Sequence, residues 1–86
     1  MSVVGIQAVI FDRRIHDMSS AEQYLREHEL APIKEHTTPN FYRYRITEPI
    51  IYDKFYTDNH GNGIMVIIGV INRKTSRRNL RVINSI

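Results

Sequence analysis

A chain of 86 residues makes one domain with a thin core, since a chain this short buries only about 60 to 65% of the surface its unfolded form exposes. The absence of cysteine excludes disulfides, thiolate metal sites and cysteine nucleophiles together and fits a reducing compartment, so extra stability must come from packing, a bound partner or self-association. The net charge of +3 is uneven: residues 1–71 carry seven lysines and arginines against nine acids, while residues 72–86 carry Arg73, Lys74, Arg77, Arg78 and Arg81 and no acid, the mark of a tail that meets a polyanion or an acidic protein face.

Val3 to Phe11 is apolar on one alternating set (Val4, Ile6, Ala8, Ile10) and mostly apolar on the other (Val3, Val9, Phe11), which predicts a well-buried first strand. Its first residues lack the basic flank and cleavage site of a secretory signal. Ser19-Ser20-Ala21-Glu22 then reads as a capping box, with the Ser19 hydroxyl and Glu22 carboxylate starting a helix over about residues 20–29. The apolar face of that helix is Ala21, Tyr24, Leu25 and His28, and Ala31-Pro32 stops it. A short extended piece is expected at Ile33 to His36. Phe41 to Thr47 alternates cleanly, with Tyr42, Tyr44 and Ile46 on one side and Phe41, Arg43 and Arg45 on the other, as in a half-buried strand. After Glu48-Pro49 a rougher strand resumes over residues 50–57. Asp58 to Gly63 is dense in residues that tolerate positive φ and reads as a hairpin turn. Ile64 to Ile71 is apolar on both faces, and the run is too short to cross a bilayer. One short helix covers one face of a small sheet, so the face carrying Met65, Ile67 and Ile71 needs the tail, a curled sheet or another molecule. Leu80, Val82, Ile83 and Ile86 give the tail an apolar end fitted for docking. The expected fold is therefore α+β: a small, mostly antiparallel sheet of about four strands with one short helix over residues 1–71, plus a basic C-terminal tail over residues 72–86.

The chemistry-bearing residues form no recognisable catalytic set. Asp58-x-His60-x-Asn62-Gly63 has the alternation of a calcium loop, but His60 replaces an oxygen ligand and Gly69 stands where the closing Glu belongs, which favours an ordinary turn. His16, His28, His36 and His60 form no closely spaced pair for zinc. Ser19 and Ser20 are assigned to the helix cap, and the acids are scattered singly, so neither an activated nucleophile nor a carboxylate pair is evident. The expectation is a protein that is not an enzyme and uses no cofactor or metal. No Asn-x-Ser/Thr sequon occurs, consistent with an intracellular setting. Arg43 and Arg45 leave the same sheet face. They either solubilise it by pairing with acids across the strand or hold phosphates, as basic and aromatic sheet faces of single-strand binders do. The five basic tail residues add a salt-sensitive phosphate affinity to the second possibility.

At Tyr42-Arg43-Tyr44-Arg45 and Gly63-Ile64-x-Val66-Ile67-Ile68-Gly69 the chain resembles a family of short domains encoded by tailed phages and by large DNA viruses of eukaryotes. Asp12-Arg13 at the end of the first strand and Leu25-Arg26-Glu27-His28 at the end of the helix complete the likeness, which spans about residues 3–71. The resemblance implies a virion- or genome-associated setting, in the particle or the host cytoplasm or nucleus, and brings no catalytic residues. Two functions follow as expectations. The first is a non-catalytic viral assembly or virion-associated protein, homo-oligomeric or partner-bound and away from membranes. It docks through Met65, Ile67, Ile71, Leu80, Val82 and Ile83, while its arginines meet acidic surfaces. The second is a nucleic-acid-binding accessory protein in which Arg43, Arg45, Arg73, Lys74, Arg77, Arg78 and Arg81 contact phosphates.

Overall fold

The two most apolar strands lie at the centre of one antiparallel sheet, where both of their edges are paired and one face is covered by the helix. The computed structural model describes residues 2–72. In chain order the elements are β1 (Ser2–Asp12), α1 (Met18–Glu27), β2 (Lys34–Thr37), β3 (Phe41–Arg45), a 3₁₀ turn (Pro49–Ile51), β4 (Lys54–Gly61) and β5 (Ile64–Asn72). The sheet order is β2-β3-β1-β5-β4, with every pair antiparallel. This is the expected α+β arrangement, with the short piece near Ile33 serving as a fifth strand. All four residues of β2 and all eight of β4 are exposed, and Lys34, Glu35, His36, Lys54, Asp58 and His60 discourage indiscriminate edge pairing.

β1 does not alternate through its whole length. Its register against β5 shifts between Ile6 and Ala8, so Gln7 is the extra residue of a β-bulge. Ile6 therefore shares a face with Val9 and Phe11, whereas Ala8 and Ile10 share the other with Val3 and Gly5. A single alternating set of Val4, Ile6, Ala8 and Ile10 does not exist in the fold. Gln7 is buried, and its bonds tie β1 to the chain leaving β3: its carbonyl accepts from the backbone N–H groups of Ile46 (2.7 Å) and Thr47 (3.1 Å), and its Nε2 donates to the Thr47 carbonyl at 3.1 Å. The Thr47 hydroxyl donates to the Ile6 carbonyl at 2.8 Å.

One face packs beneath α1. Val9, Phe11, Tyr44, Ile64 and Val66 from the sheet meet Ala21 and Leu25 from the helix, with Ile6, Tyr24, Leu30, Tyr42, Ile46 and Ile68 around them. Phe11 is the hub, touching His16, Tyr24 and Tyr44 edge-to-face at centroid distances of 5.4 to 5.7 Å.

The helix starts and stops earlier than expected. Its N-cap is Asp17, whose carboxylate accepts from the Ser20 N–H at 2.8 Å, in place of a Ser19–Glu22 box. Asp caps as well as Ser does, and the adjoining His16 is held in place by two further bonds, described below. The end is a Schellman motif three residues before Pro32. Leu30 N–H reaches the Leu25 carbonyl (2.8 Å), Glu29 N–H reaches that of Arg26 (3.1 Å), and Leu30 packs on the core. His28 thus lies at the exposed C-cap, stacked on Tyr24 at 4.0 Å. Glu29 carries the motif at φ 56, a conformation that glycine adopts without a Cβ penalty. Glu29→Gly is expected to stabilise the domain by about 0.5–1 kcal/mol, read as a rise of about 2–8 °C in melting temperature.

The second hairpin is tighter than the run of turn-forming residues implied, and it falls later: residues 49–51 coil as a 3₁₀ turn and β4 extends through to Gly61. Only Asn62-Gly63 turns, at φ 57 and 75, as a two-residue type I′ hairpin requires.

Candidate functional site on the open sheet face

Among the described residues, the face of the sheet opposite α1 has no helix over it. Register places on it His36 and Lys34 from β2, Arg43 and Arg45 from β3, Ala8 and Ile10 from β1, Met65, Ile67 and Ile71 from β5, and Phe55, Thr57 and Asn59 from β4. The face is thus divided into a basic half at β2–β3 and an apolar half at β1–β5, where Ile10, Met65, Ile67 and Ile71 are only half-buried. Near one end, Gly5 and Gly69 are directly paired, and Tyr52 lies across them with its ring edge-on to Phe55 at 5.9 Å.

Arg43 and Arg45 do not face acids across the strands. Their β2 partners are His36 and Lys34, and their β1 partners are Ile10 and Ala8. The bonded acid is Glu48, three residues along the chain, at 3.8 Å from Arg45. Like charges at directly opposed positions destabilise a sheet, so Lys34 against Arg45 is a local cost that an anion laid between them would relieve. Lys34, Glu35, His36, Arg43 and Arg45 line a shallow depression of about 290 Å³, open to solvent.

Of the residues expected to act, Arg43, Arg45, Met65, Ile67 and Ile71 come together on this one face. Arg73, Lys74, Arg77, Arg78, Arg81, Leu80, Val82 and Ile83 lie outside the described residues. The structure adds Lys34, His36, Ile10, Tyr52 and Phe55. The alternation of Lys34 and His36 in a short strand was a readable signal for the first two, but Ile10 changes face only through the bulge.

The other polar clusters are structural. Arg14 grips Asp12 through Nε (3.1 Å), Nη2 (2.8 Å) and its backbone N–H (2.9 Å), and these hydrogen bonds lower the Asp12 carboxyl to about 2. Arg13 reaches the Thr38 carbonyl at 2.7 Å and lies 5.0 Å from the centre of the Tyr42 ring, so Asp12-Arg13 is the joint that ties β1 to the β2–β3 hairpin. Because the folded carboxyl titrates below its ordinary 3.8, its contribution is present above about pH 4 and lost as pH falls toward 2. Titration of the Asp12 carboxyl by NMR is expected to show a midpoint near 2, and Arg14→Ala to return it toward 3.8.

His16 Nε2 donates to the Asn62 carbonyl at 2.7 Å, and Nδ1 lies 3.0 Å from the Ser20 hydroxyl. That hydroxyl also donates to the Asp17 carbonyl, and neither this depression nor the one lined by Asp12, Arg14, Asn40 and Phe41 includes the pair. Its role is to pin the helix start to the tip of the β4–β5 hairpin. His60 Nε2 lies 3.0 Å from the Asp58 carboxylate beside that tip, where Asn59 Oδ1 accepts from Gly61 N–H. Among the described residues, no three His, Asp or Glu side chains are placed to hold a metal ion, and no helix is long and apolar enough to cross a membrane.

No family model, curated protein or solved structure matches this chain.

Proposed function

We propose that this chain is a non-catalytic assembly component, of the virion-associated kind its resemblance implies, that docks an acidic protein surface on the open face of its sheet. The observation that supports this reading is the division of that face. An uncovered apolar centre of Ile10, Met65, Ile67 and Ile71 borders a basic flank of Lys34, His36, Arg43 and Arg45, which is how protein interfaces are built, with a desolvated core and a polar rim. The opposition of Lys34 and Arg45, only partly offset by Glu48 at 3.8 Å from Arg45, supplies the preference for an acidic partner.

Photo-cross-linking from a benzophenone side chain at position 67, with position 22 on the helix as control, tests the reading in cells that assemble the particle. A nuclease-resistant protein adduct from position 67 alone is the expected result, and a position 67 that gives no more adduct than position 22 would sink it.

The crowding of Lys34, His36, Arg43 and Arg45 into one depression favours a second reading, in which the same flank holds phosphates of a nucleic acid. Fluorescent single- and double-stranded DNA and RNA titrated across a salt series decide between the two. Binding with a log-log salt slope of about −3 to −5, lost in Arg43→Glu/Arg45→Glu, establishes the second reading, and no binding at low salt removes it.

A further inference from the structure

The free edge of β4 is complementary to itself, and we infer that two copies of this chain pair there, antiparallel, to make one ten-stranded sheet. All eight residues of β4 are exposed, and among the described residues the strand borders β5 alone. Its outer row of backbone donors and acceptors is therefore a template for another strand. Edge strands avoid pairing through shortness, proline, bulges or charge, and the charges of β4, Lys54 and Asp58, are opposite in sign, so they select among registers. The strand runs eight residues with no proline and exposes large rings on both faces: Tyr56 (56% exposed) on the helix side and Phe55 (46%) on the open side.

The register follows from charge and parity. Lys54, Tyr56 and Asp58 share the helix-side face, because their partners on β5 are Val70, Ile68 and Val66. A two-fold axis perpendicular to the sheet must set helix-side residues against helix-side residues, so the self-pairing residue is Lys54, Phe55, Tyr56, Thr57 or Asp58 in turn. Centring on Lys54 or Asp58 opposes identical charges. Centring on Phe55 sets Lys54 against Tyr56, and centring on Thr57 sets it against His60. Only an axis through Tyr56 places each Lys54 opposite the second copy's Asp58, with the two Tyr56 rings meeting between the ion pairs and Phe55 opposite Thr57. Opposed charges and facing aromatic rings are the stabilising cross-strand pairs of antiparallel sheets. The interface is isologous and closes at two copies, and the β-bulge between Asn59 and Gly61 ends the pairing at the hairpin tip. The two helices then lie on the same side, and the two open faces join into one surface with a basic flank at each end. The pairing does not depend on what that surface binds.

Sedimentation of the full chain from micromolar to millimolar concentration reads the dimer directly. Lys54→Glu sets a glutamate against Asp58 twice and is expected to weaken dimerisation roughly tenfold or more, and Lys54→Asp/Asp58→Lys is expected to restore it. The chain has no cysteine, so a single introduced thiol reports the axis. Residues opposed on it have Cα atoms about 4.5 to 5.5 Å apart, inside the range a disulfide spans. Tyr56→Cys is expected to cross-link at least tenfold faster than Thr57→Cys, while Phe55→Cys mixed with Thr57→Cys gives the mixed dimer. A chain monomeric throughout the series, a dimer insensitive to Lys54→Glu, or equal cross-linking at positions 56 and 57 overturns the inference. Thermal melts of each variant confirm that it is folded.

Discussion

Gly69→Ala is expected to destabilise the domain by about 2–3 kcal/mol, a loss of roughly 10–20 °C in melting temperature. The strain is local and has one cause. A Cβ built at Gly69 collides with the Tyr52 ring at several atoms at once, and one at Gly5 meets the Tyr52 hydroxyl at 2.8 Å. The ring lies flat over the only stretch of the open face that has no side chains, and it cannot rise without uncovering the paired glycines and losing its edge contact with Phe55. A double-mutant cycle measures the claim. In a Tyr52→Ala background the same alanine is expected to be neutral or slightly stabilising, because glycine in a strand interior is about 0.5–1 kcal/mol worse than alanine. Additive effects in the cycle would mean that the collision is relieved by backbone movement and that Tyr52 does not close this end of the sheet.

Phe11→Ala carries the largest expected cost, about 3–5 kcal/mol. The side chain is fully buried at the hub of the core, and its loss removes three edge-to-face contacts at once, to His16, Tyr24 and Tyr44. A domain of about 70 residues has a total stability of roughly 4–10 kcal/mol, so this variant sits near or beyond its unfolding threshold. Urea unfolding followed by far-ultraviolet circular dichroism reads it directly. The neighbouring Tyr44→Phe is expected to do the opposite. The Tyr44 hydroxyl is buried with no hydrogen-bond partner among the described residues, so removing it costs nothing in bonding and is expected to be neutral or stabilising by up to about 1 kcal/mol. A substantial loss of stability in Tyr44→Phe would show that the hydroxyl has a partner beyond those residues.

Asp12, Arg13 and Leu25 are accounted for by architecture. Asp12 is clamped by Arg14, Arg13 reaches across to the β2–β3 hairpin, and Leu25 anchors the helix in the core while its carbonyl accepts the Leu30 N–H of the Schellman turn. Tyr42 and Tyr44 likewise face the helix. Arg43, Arg45 and the open-face residues of β5 have no such structural account, and they are the set on which the proposed docking rests.

Where local pattern and tertiary demand agree, the chain could be read directly. Alternation alone separates Tyr42 and Tyr44 from Arg43 and Arg45, because side chains of a strand point to opposite faces, and residues 64–71 are legible as a strand apolar on both faces. Asn62-Gly63 is legible for a similar reason, since two consecutive positive φ angles admit few other residues. The bulge at Gln7 was hidden, because an extra residue reverses every later side chain and is set by how β1 must meet β3 and β5 together. The choice of Asp17 over Ser19 was hidden too, since both cap well and the contacts of His16 with Asn62 and Ser20 come from distant parts of the chain. The site divides in the same way. Single residues such as Arg43, Arg45, Met65 and Ile67 are marked by type and parity, but their assembly with Lys34, His36, Ile10 and Tyr52 into one basic and apolar face exists only once strand order and register bring four separate segments side by side.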